Sequence, residues 1–405
     1  MLQVRTSEAY QDLARELADV FAGRATKWDQ ERAYCWQNVR DLTDAGLMGM
    51  TIPRRFGGGG ASYYDTCLVI EEIARACTLS ARIVVEANMG AVGAIMAYGS
   101  DEQRALAADL VLSGDKPAIA ITEPEAGSAA TEMQTTARRD GNRYILNGRK
   151  HWITGGGVSK LHLIFARVED EDARPIGIGA FIVHVDPDRG IAPKGFSVGE
   201  RRRTMGLCGM PETELIFEDL VVDARWLLMP PSGFAGGFKD LMTAYNGQRV
   251  GAGTVALGVA AGAVDHATRY MNERHQFGRP IAEFQGLQWM LADMDMGVHA
   301  SRLMLHEAAK SGERLSNGFP DRTMAARAKA FATETAIKVV NDALQMFGAR
   351  GYGDQEPLER MYRDVRMFTI GGGTAQVLKT QVAAARLGIK TPQTRDGYLQ
   401  TAGSD

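Results

Sequence analysis

The stretch Ala118-Ile119-Ala120-Ile121-Thr122-Glu123-Pro124-Glu125-Ala126-Gly127-Ser128 decides the fold of this chain, because helical periodicity stops just before it. Its first five residues are β-prone, and similar short runs follow at 144–148, 161–166 and 179–183. Turn residues separate the runs at intervals of roughly 8–15 residues, a spacing typical of a β-sandwich or β-barrel. The pattern therefore predicts a β domain that begins near residue 116.

Apolar residues recur at helical spacing on both sides of this β segment. The predicted helices cover about 7–30, 36–46, 62–77, 80–98 and 101–113 before it, and 236–273, 283–313, 321–348 and 374–388 after it. Helices as long as those of the second group suit a four-helix bundle. We therefore predict an α+β multidomain protein with an N-terminal helical domain (1–115), a central β-barrel or β-sandwich domain (116–230), a C-terminal four-helix bundle (231–390) and a poorly ordered tail (391–405).

The composition is that of an ordinary globular protein: 405 residues, 45% hydrophobic and 23% charged, with a formal net charge of −3. The interspersed charges give no patch that would favour nucleic acid, and no apolar run approaches the roughly 18 residues of a membrane-spanning helix. The four cysteines and seven histidines lack metal-ligand spacing, so we expect no metal and reduced, structural thiols. These features predict a cytoplasmic protein without a nucleic-acid or membrane partner.

Further glycine- and arginine-bearing motifs follow in order along the chain. They are Trp152-Ile153-Thr154-Gly155-Gly156-Gly157, Arg274-His275-Gln276-Phe277-Gly278-Arg279-Pro280, Gln345-Met346-Phe347-Gly348-Ala349-Arg350-Gly351-Tyr352-Gly353 and Gly371-Gly372-Gly373-Thr374-Ala375-Gln376. Together with residues 120–128, these motifs resemble the acyl-CoA dehydrogenase family in order and spacing over residues 5–390. The match departs from the family pattern at Ala129, Ala349 and Gln355. The resemblance implies the acyl-CoA dehydrogenase fold, bound FAD and a homotetramer.

The same resemblance implies which residues bind the cofactor. Hydroxyl and exposed N–H groups of the first motif can bond the pyrimidine edge of a flavin, and the planar guanidinium of Arg274 matches phosphate oxygens two at a time. In relatives, the counterparts of Arg274 and Gln276 reach the pyrophosphate of a flavin that two subunits share. The positions assigned in this way are Ile121, Thr122, Ser128, Trp152, Thr154, Arg274, Gln276, Phe277, Gln345, Gly348, Thr374 and Gln376.

Two positions where the family keeps its catalytic carboxylate hold other residues. Eight residues after Asp364 stands Gly372, and 26 residues before Arg274, on a predicted helix, stands Gln248. An amide has no useful basicity near neutral pH, and glycine offers only its backbone N–H. Removal of a proton alpha to a thioester therefore has no obvious agent, whereas the Gly372 N–H could still polarise the thioester carbonyl.

Arg82 lies on the predicted helix over 80–98, among apolar residues, on the helix that in relatives lines the far end of the acyl pocket. Because a guanidinium keeps its proton, a desolvated Arg82 needs an anionic partner. The acyl end of a substrate would supply one through two parallel hydrogen bonds. The alternative is local, since Glu86 at i+4 is placed for an ordinary helix ion pair.

The combination of flavin scaffold, missing base and pocket arginine resembles a desulfinase branch of the family, whose members convert 3-sulfinopropionyl-CoA to propionyl-CoA and sulfite. Residues 155–166 and 245–254 resemble that branch closely. The resemblance implies catalytic roles for Arg82, Gln248 and the Gly372 N–H. The implied substrate-binding residues are Arg82, Ser128, Tyr245, Asn246 and Arg249.

Two other functions stay open at this stage. One is an acyl-CoA dehydrogenase that acts on a short acidic acyl-CoA with a base recruited from elsewhere, for example Glu86. The other is a non-catalytic subunit that binds acyl-CoA without turnover. In each case the expected partner is an acyl-CoA.

Overall fold

The computed structural model describes residue 2 and residues 5–389. In it, the part of the chain before the sheet is helical. Its helices are α1 (Ser7–Gln30), α2 (Trp36–Asp44), α3 (Tyr63–Ala76), α4 (Thr78–Asn88), α5 (Ala91–Tyr98) and α6 (Asp101–Leu112). Local sequence explains where several begin: the Ser62 hydroxyl accepts from the backbone N–H of Asp65 in a reciprocal capping box, and Ser100 caps α6 in the same way. The predicted tail over 391–405 lies outside the described residues.

The single helix predicted over 80–98 is wrong, because the chain breaks into α4 and α5 at Gly90. Gly90 has φ +58°, a left-handed conformation that glycine adopts without the steric cost of a Cβ. A Cβ at this position would lie 2.6 Å from Oε1 of Gln248, on a later helix. The break therefore comes from a tertiary contact, and the uniformly apolar sequence on either side concealed it.

The middle of the chain forms one eight-stranded sheet, in the order β6-β7-β3-β2-β4-β5-β8 with β1 paired to β4. The strands are β1 (Ala118–Ala120), β2 (Thr136–Asp140), β3 (Arg143–Thr154), β4 (Leu161–Glu169), β5 (Pro175–His184), β6 (Phe196–Arg201), β7 (Glu212–Asp223) and β8 (Leu227–Leu228). The four predicted runs lie in β1, β3, β4 and β5. Sequence patterning did not single out β7, because its buried residues alternate with half-buried or exposed ones that include several acids.

The helices after the sheet are long and begin with α7 (Gly233–Glu273), whose 41 residues span about 60 Å at 1.5 Å per residue. A short hairpin of β9 (His275–Gln276) and β10 (Arg279–Pro280) follows it. The remaining helices are α8 (Gln285–Ser311), α9 (Arg322–Phe347), α10 (Ala349–Tyr352), α11 (Leu358–Val365) and α12 (Ala375–Leu387). The four long helices predicted from periodicity are present to within a few residues at each end.

The apolar interior joins the two helical parts of the chain. One cluster of buried side chains draws on α1, α3 and α4 as well as α7, α8 and α9, and a separate cluster fills the sheet. Two stretches, Thr78–Tyr98 and Gly233–Glu273, are by length and composition alone apolar enough to cross a membrane. Since 89% and 83% of their apolar windows are buried inside the protein, they are core helices. All four cysteines are buried and unpaired.

Candidate active site

A buried polar cluster lies where α4, α7 and the sheet meet. The Arg82 guanidinium Nη2 is 2.6 Å from Glu86 Oε1, and the Gln248 amide Nε2 donates to the same oxygen at 3.1 Å. On the other side, Lys116 Nζ is 3.5 Å from Glu86 Oε2 and donates to the Thr154 carbonyl at 3.0 Å. We call Arg82, Glu86, Lys116 and Gln248, with Glu212 described below, the inner cluster.

Both interpretations of Arg82 find support in this geometry. The i+4 ion pair with Glu86 forms, and Arg82 is only 7% exposed. Yet Arg82 Nε and Gln248 Oε1 are buried without a hydrogen-bond partner among the described residues. A buried polar atom without a partner costs roughly 1–3 kcal/mol, so both atoms favour a bound polar group that satisfies them.

Glu86 is poorly placed to act as a recruited base. One carboxylate oxygen contacts Arg82 and Gln248, the other contacts Lys116, and the side chain is 4% exposed. A general base must reach the proton that it removes, whereas these oxygens are occupied by two cations and an amide. The geometry therefore weighs against the dehydrogenase alternative that relies on Glu86.

Gly372 lies in a loop whose backbone is hydrogen-bonded to Lys329 of α9. Lys329 Nζ donates to the carbonyls of Gly371 and Gly373, at 2.9 and 2.6 Å, on either side of the glycine that stands in the base position. Burial, followed by the charges of Arg249 and Arg82, lowers the pKa of Lys329 to about 7. Gly372 has φ +74°, and a Cβ there would meet no atom within 4 Å. The loop thus leaves open space where the family has a carboxylate.

The predicted substrate-binding residues of α7 adjoin this loop. Arg249 Nη1 donates to Asn246 Oδ1 at 2.6 Å, and its guanidinium carbon lies 5.6 Å from the centre of the Tyr245 ring. Arg249 Nε is buried without a partner among the described residues, and burial lowers the pKa of Arg249. Ser128 is exposed in the loop between β1 and β2, and no hydrogen bond joins it to these α7 residues within the described part of the chain.

The predicted flavin-side residues of the sheet come together at the ends of β1 and β3. The His151 N–H donates to the Thr122 carbonyl at 2.8 Å, and Lys150 Nζ donates to the Ile121 carbonyl at 3.1 Å. Trp152 has φ +57° and is 50% exposed, so a large indole stands outside the core on a strained backbone. Such strain is commonly maintained at a ligand site, and an indole face here fits a planar ring system.

Glu212 completes the inner cluster and was missed by sequence reasoning. It is the first residue of β7 and lies opposite Thr154 of β3, whose hydroxyl is 2.9 and 3.1 Å from the two carboxylate oxygens. Burial raises the pKa of Glu212 to about 7, against the Thr154 hydrogen bond and the charges of Arg82 and Lys116, which lower it. In the sequence Glu212 is one acid among several on this strand, and only the cross-strand register reveals its position. Lys116 and Lys329 were also missed, because their contacts with Glu86 and with the Gly372 loop join segments distant in the sequence.

The second group of predicted cofactor residues lies far from the inner cluster. Arg274, Gln276 and Phe277 belong to the β9–β10 hairpin, 26 residues beyond Gln248 and thus about 39 Å along the helix axis. Phe277 is 93% exposed, and the Arg274 side chain has no hydrogen bond or ion pair to another described residue.

The remaining predicted cofactor residues divide between the two ends. Stacking of Tyr270 on Phe347, with ring centroids 4.0 Å apart, brings the end of α9, and with it Gln345 and Gly348, towards the hairpin. Thr374, which caps α12 by accepting from the N–H of Val377, and the exposed Gln376 lie instead beside the Gly372 loop. One chain therefore carries two spatially separate groups of predicted cofactor residues.

The fold, with a helical part before the sheet and long helices after it, is that of a known class of protein. Sequence models of the N-terminal, middle and C-terminal domains of acyl-CoA dehydrogenases match residues 5–115, 118–220 and 235–387. The chain belongs to the acyl-CoA dehydrogenase family. Over the described residues, no group of three or more His, Cys, Asp or Glu side chains is arranged to hold a metal ion.

Within that family, the chain is similar to proteins of one activity. It is 59% identical over 390 residues to a 3-sulfinopropanoyl-CoA desulfinase of Variovorax paradoxus, covering 96% of each chain. It is 60% identical over 387 residues to a protein of the same name from Cupriavidus necator, covering 95% of this chain and 96% of that one. Among solved structures, butyryl-CoA dehydrogenase from Megasphaera elsdenii is 30% identical with a TM-score of 0.87, covering 96% of this chain and all of the other.

Proposed function

We propose that the protein is a desulfinase that cleaves 3-sulfinopropionyl-CoA (3-sulfinopropanoyl-CoA) to propionyl-CoA and sulfite. The observation that carries the proposal is that neither of the family's two base positions holds a carboxylate. Gly372 and Gln248 occupy the two base positions, and the nearby Glu86 is engaged by Arg82, Lys116 and Gln248. The similarity to desulfinases over nearly the whole chain supports the same conclusion.

Arg82 would recognise the acyl end of the substrate. Its unpartnered Nε donor would bind a sulfinate oxygen, which supports a substrate with an anionic acyl end. Gln248 would orient water through its unpartnered Oε1. At the other end of the acyl group, the Gly372 N–H would bond the thioester carbonyl. The hydrogen bonds from Lys329 to Gly371 and Gly373 would keep that loop in place. Tyr245, Asn246, Arg249 and Ser128 would complete the substrate contacts.

The reaction would be a carbon–sulfur hydrolysis. The C–S bond breaks with its electron pair on carbon, the carbon gains a proton, and the sulfur gains an oxygen from water. No electrons leave the substrate, so neither an alpha-proton base nor an external electron acceptor is required. This balance explains why the enzyme could function without the carboxylate that a dehydrogenase needs.

FAD would be bound through residues of both groups described above. Ile121, Thr122, Trp152 and Thr154 would hold the ring system, while Arg274 and Gln276 would bind the pyrophosphate. Further contacts would come from Ser128, Phe277, Gln345, Gly348, Thr374 and Gln376. Bound FAD would supply a ribityl hydroxyl as a second hydrogen-bond donor to the thioester carbonyl.

A homotetramer in the cytoplasm would complete the site. The two groups of cofactor residues are too far apart in one chain to hold one flavin ring and pyrophosphate, so the hairpin of a second copy would be needed. Exposed apolar side chains at seven-residue spacing on α8, namely Trp289, Met296 and Leu303, support an oligomer contact. Four unpaired cysteines are consistent with a reducing compartment.

The decisive experiment measures sulfite release from 3-sulfinopropionyl-CoA by the purified protein, without an electron acceptor. We expect stoichiometric sulfite and propionyl-CoA while the flavin absorbance stays oxidised. Absence of sulfite together with flavin bleaching by a dicarboxylic acyl-CoA would instead identify a dehydrogenase. Binding of either compound with neither sulfite nor bleaching would identify a non-catalytic binding protein.

A further inference from the structure

Cleavage of the carbon–sulfur bond requires a proton for the carbon that loses sulfur. That carbon is beta to the thioester carbonyl, so the thioester cannot delocalise the electron pair left behind. The proton must therefore arrive as the bond breaks, from an acid within hydrogen-bond reach. Neither Gln248 nor the Gly372 N–H can be that acid, because an amide does not release its proton near neutral pH.

Glu212 has the setting of such an acid. Within the described part of the chain, its carboxyl group has one hydrogen-bond partner, the Thr154 hydroxyl, and no ion pair. Glu86, by contrast, is paired with Arg82 and Lys116. Thr154 also links Glu212 to the rest of the inner cluster, because its carbonyl accepts from Lys116 Nζ at 3.0 Å.

We infer that Glu212, in its protonated form, donates the proton to the substrate carbon as the carbon–sulfur bond breaks. This inference rests on the proposed desulfinase function. The C–S electron pair forms the new C–H bond, and the sulfur leaves as sulfur dioxide. Water adds to sulfur dioxide to give hydrogen sulfite and one proton, which restores the Glu212 carboxyl. Substrate and water thus balance with propionyl-CoA and hydrogen sulfite, and no oxidant or reductant takes part.

The surroundings of Glu212 suit a group that is protonated near neutral pH. The charged and titratable groups that face it are Arg82 and Glu86 of α4, Lys116 before β1 and Tyr245 of α7. Burial raises the pKa of Glu212 to about 7 despite the two cations. Because the protonated form is the active one, activity should be full below this pKa and should fall as the pH rises through it.

The test compares Glu212→Gln with Glu214→Gln, both as purified holoenzymes with measured FAD content. Glutamine keeps the contact with Thr154 but cannot donate the proton. Glu214, two residues along β7, pairs with Arg149 at 3.2 Å and takes no part in the cluster. We expect Glu212→Gln to lower kcat by about 10²–10⁴-fold, which is the rate factor that a positioned general acid contributes. The decline in kcat above pH 7 should also disappear. Glu214→Gln should keep both the rate and the pH profile.

A second variant, Thr154→Val, separates a role of Glu212 in proton transfer from a role in folding. Thr154→Val removes the hydrogen bond that lowers the pKa of Glu212, so the decline in kcat should move to higher pH. Glu212→Asp, which keeps the acid on a shorter side chain, should retain part of the rate. Wild-type kcat and an unchanged pH profile in Glu212→Gln would overturn the inference while leaving desulfinase activity intact. Failure of the wild-type protein to release sulfite would overturn the proposed function, and this inference with it.

Discussion

The inner cluster and the β9–β10 hairpin illustrate two ways in which one chain presents functional residues. The inner cluster is buried and internally paired: Arg82 contacts Glu86, and Gln248 and Lys116 contact the same carboxylate. The hairpin is exposed, with Phe277 at 93% and Arg274 without a hydrogen bond or ion pair to another described residue. The difference supports the proposal that one copy completes the inner cluster whereas the hairpin serves a second copy.

The largest effect should come from removing the arginine of the inner cluster. Arg82→Ala should reduce turnover of 3-sulfinopropionyl-CoA by about 10²–10³-fold, since truncating one partner of a buried charge pair costs roughly 2–5 kcal/mol. It also leaves Glu86 with Lys116 alone, so the unfolding free energy should fall. Steady-state kinetics with FAD content as a reference measures the first effect. Arg314→Ala, which breaks an exposed ion pair with Glu307, is the matched control. Wild-type turnover in Arg82→Ala would remove the substrate role.

The hairpin should affect cofactor binding and assembly instead of turnover per bound flavin. Arg274→Ala should weaken FAD binding by about 10–200-fold, because a hydrogen bond to a charged group contributes about 1.5–3 kcal/mol. Flavin retention on dilution measures this loss. If the hairpin serves a second copy, Phe277→Asp should also lower the oligomeric state in sedimentation experiments. Unchanged assembly and FAD content in both variants would contradict a role of the hairpin in cofactor binding and in the contact with a second copy.

Gln248→Glu should show how closely the inner cluster is balanced. The new carboxylate would lie beside Glu86, whose oxygen is 3.1 Å from the present amide. Two carboxylates at this distance resist double ionisation, so the variant should lose about 1–3 kcal/mol of unfolding free energy at pH 8. The loss should shrink towards pH 5.5, where the pair can hold a proton. Urea unfolding at both pH values tests this, with Gln248→Met as the uncharged control.

Lys329 should give the most gradual effect, a change in stability that is small at any one pH step. Its pKa is lowered to about 7 in the folded state, so between pH 7 and pH 10 the unfolded chain binds more protons than the folded chain. Stability from this group must therefore rise with pH across that window, by at most about 1.4 kcal/mol per pH unit. Lys329→Met should flatten this slope. The difference in unfolding free energy between the two proteins at pH 7 and pH 9 measures it.

Sequence periodicity predicted α8 and α9 well because each buries an apolar face over many turns, whereas α7 is buried on all sides over 246–263. It missed the break at Gly90 because apolar residues continue on both sides, and a side chain of α7 fixes the turn. In the site, the Arg82–Glu86 pair followed from i+4 spacing. Glu212, Lys116 and Lys329 could not be found in this way, since each acts through a contact between segments distant in the sequence.

The glycine at the vacant base position also bears on reversibility. Gly372 has room for a side chain but a backbone at φ +74°, where most residues other than glycine are disfavoured by about 1–2 kcal/mol. A single codon change to an acid would thus have to be accompanied by a rearrangement of the loop that Lys329 anchors. Losing the carboxylate would therefore be easier than regaining it. A descendant of this protein would stay with chemistry that needs no alpha-proton removal.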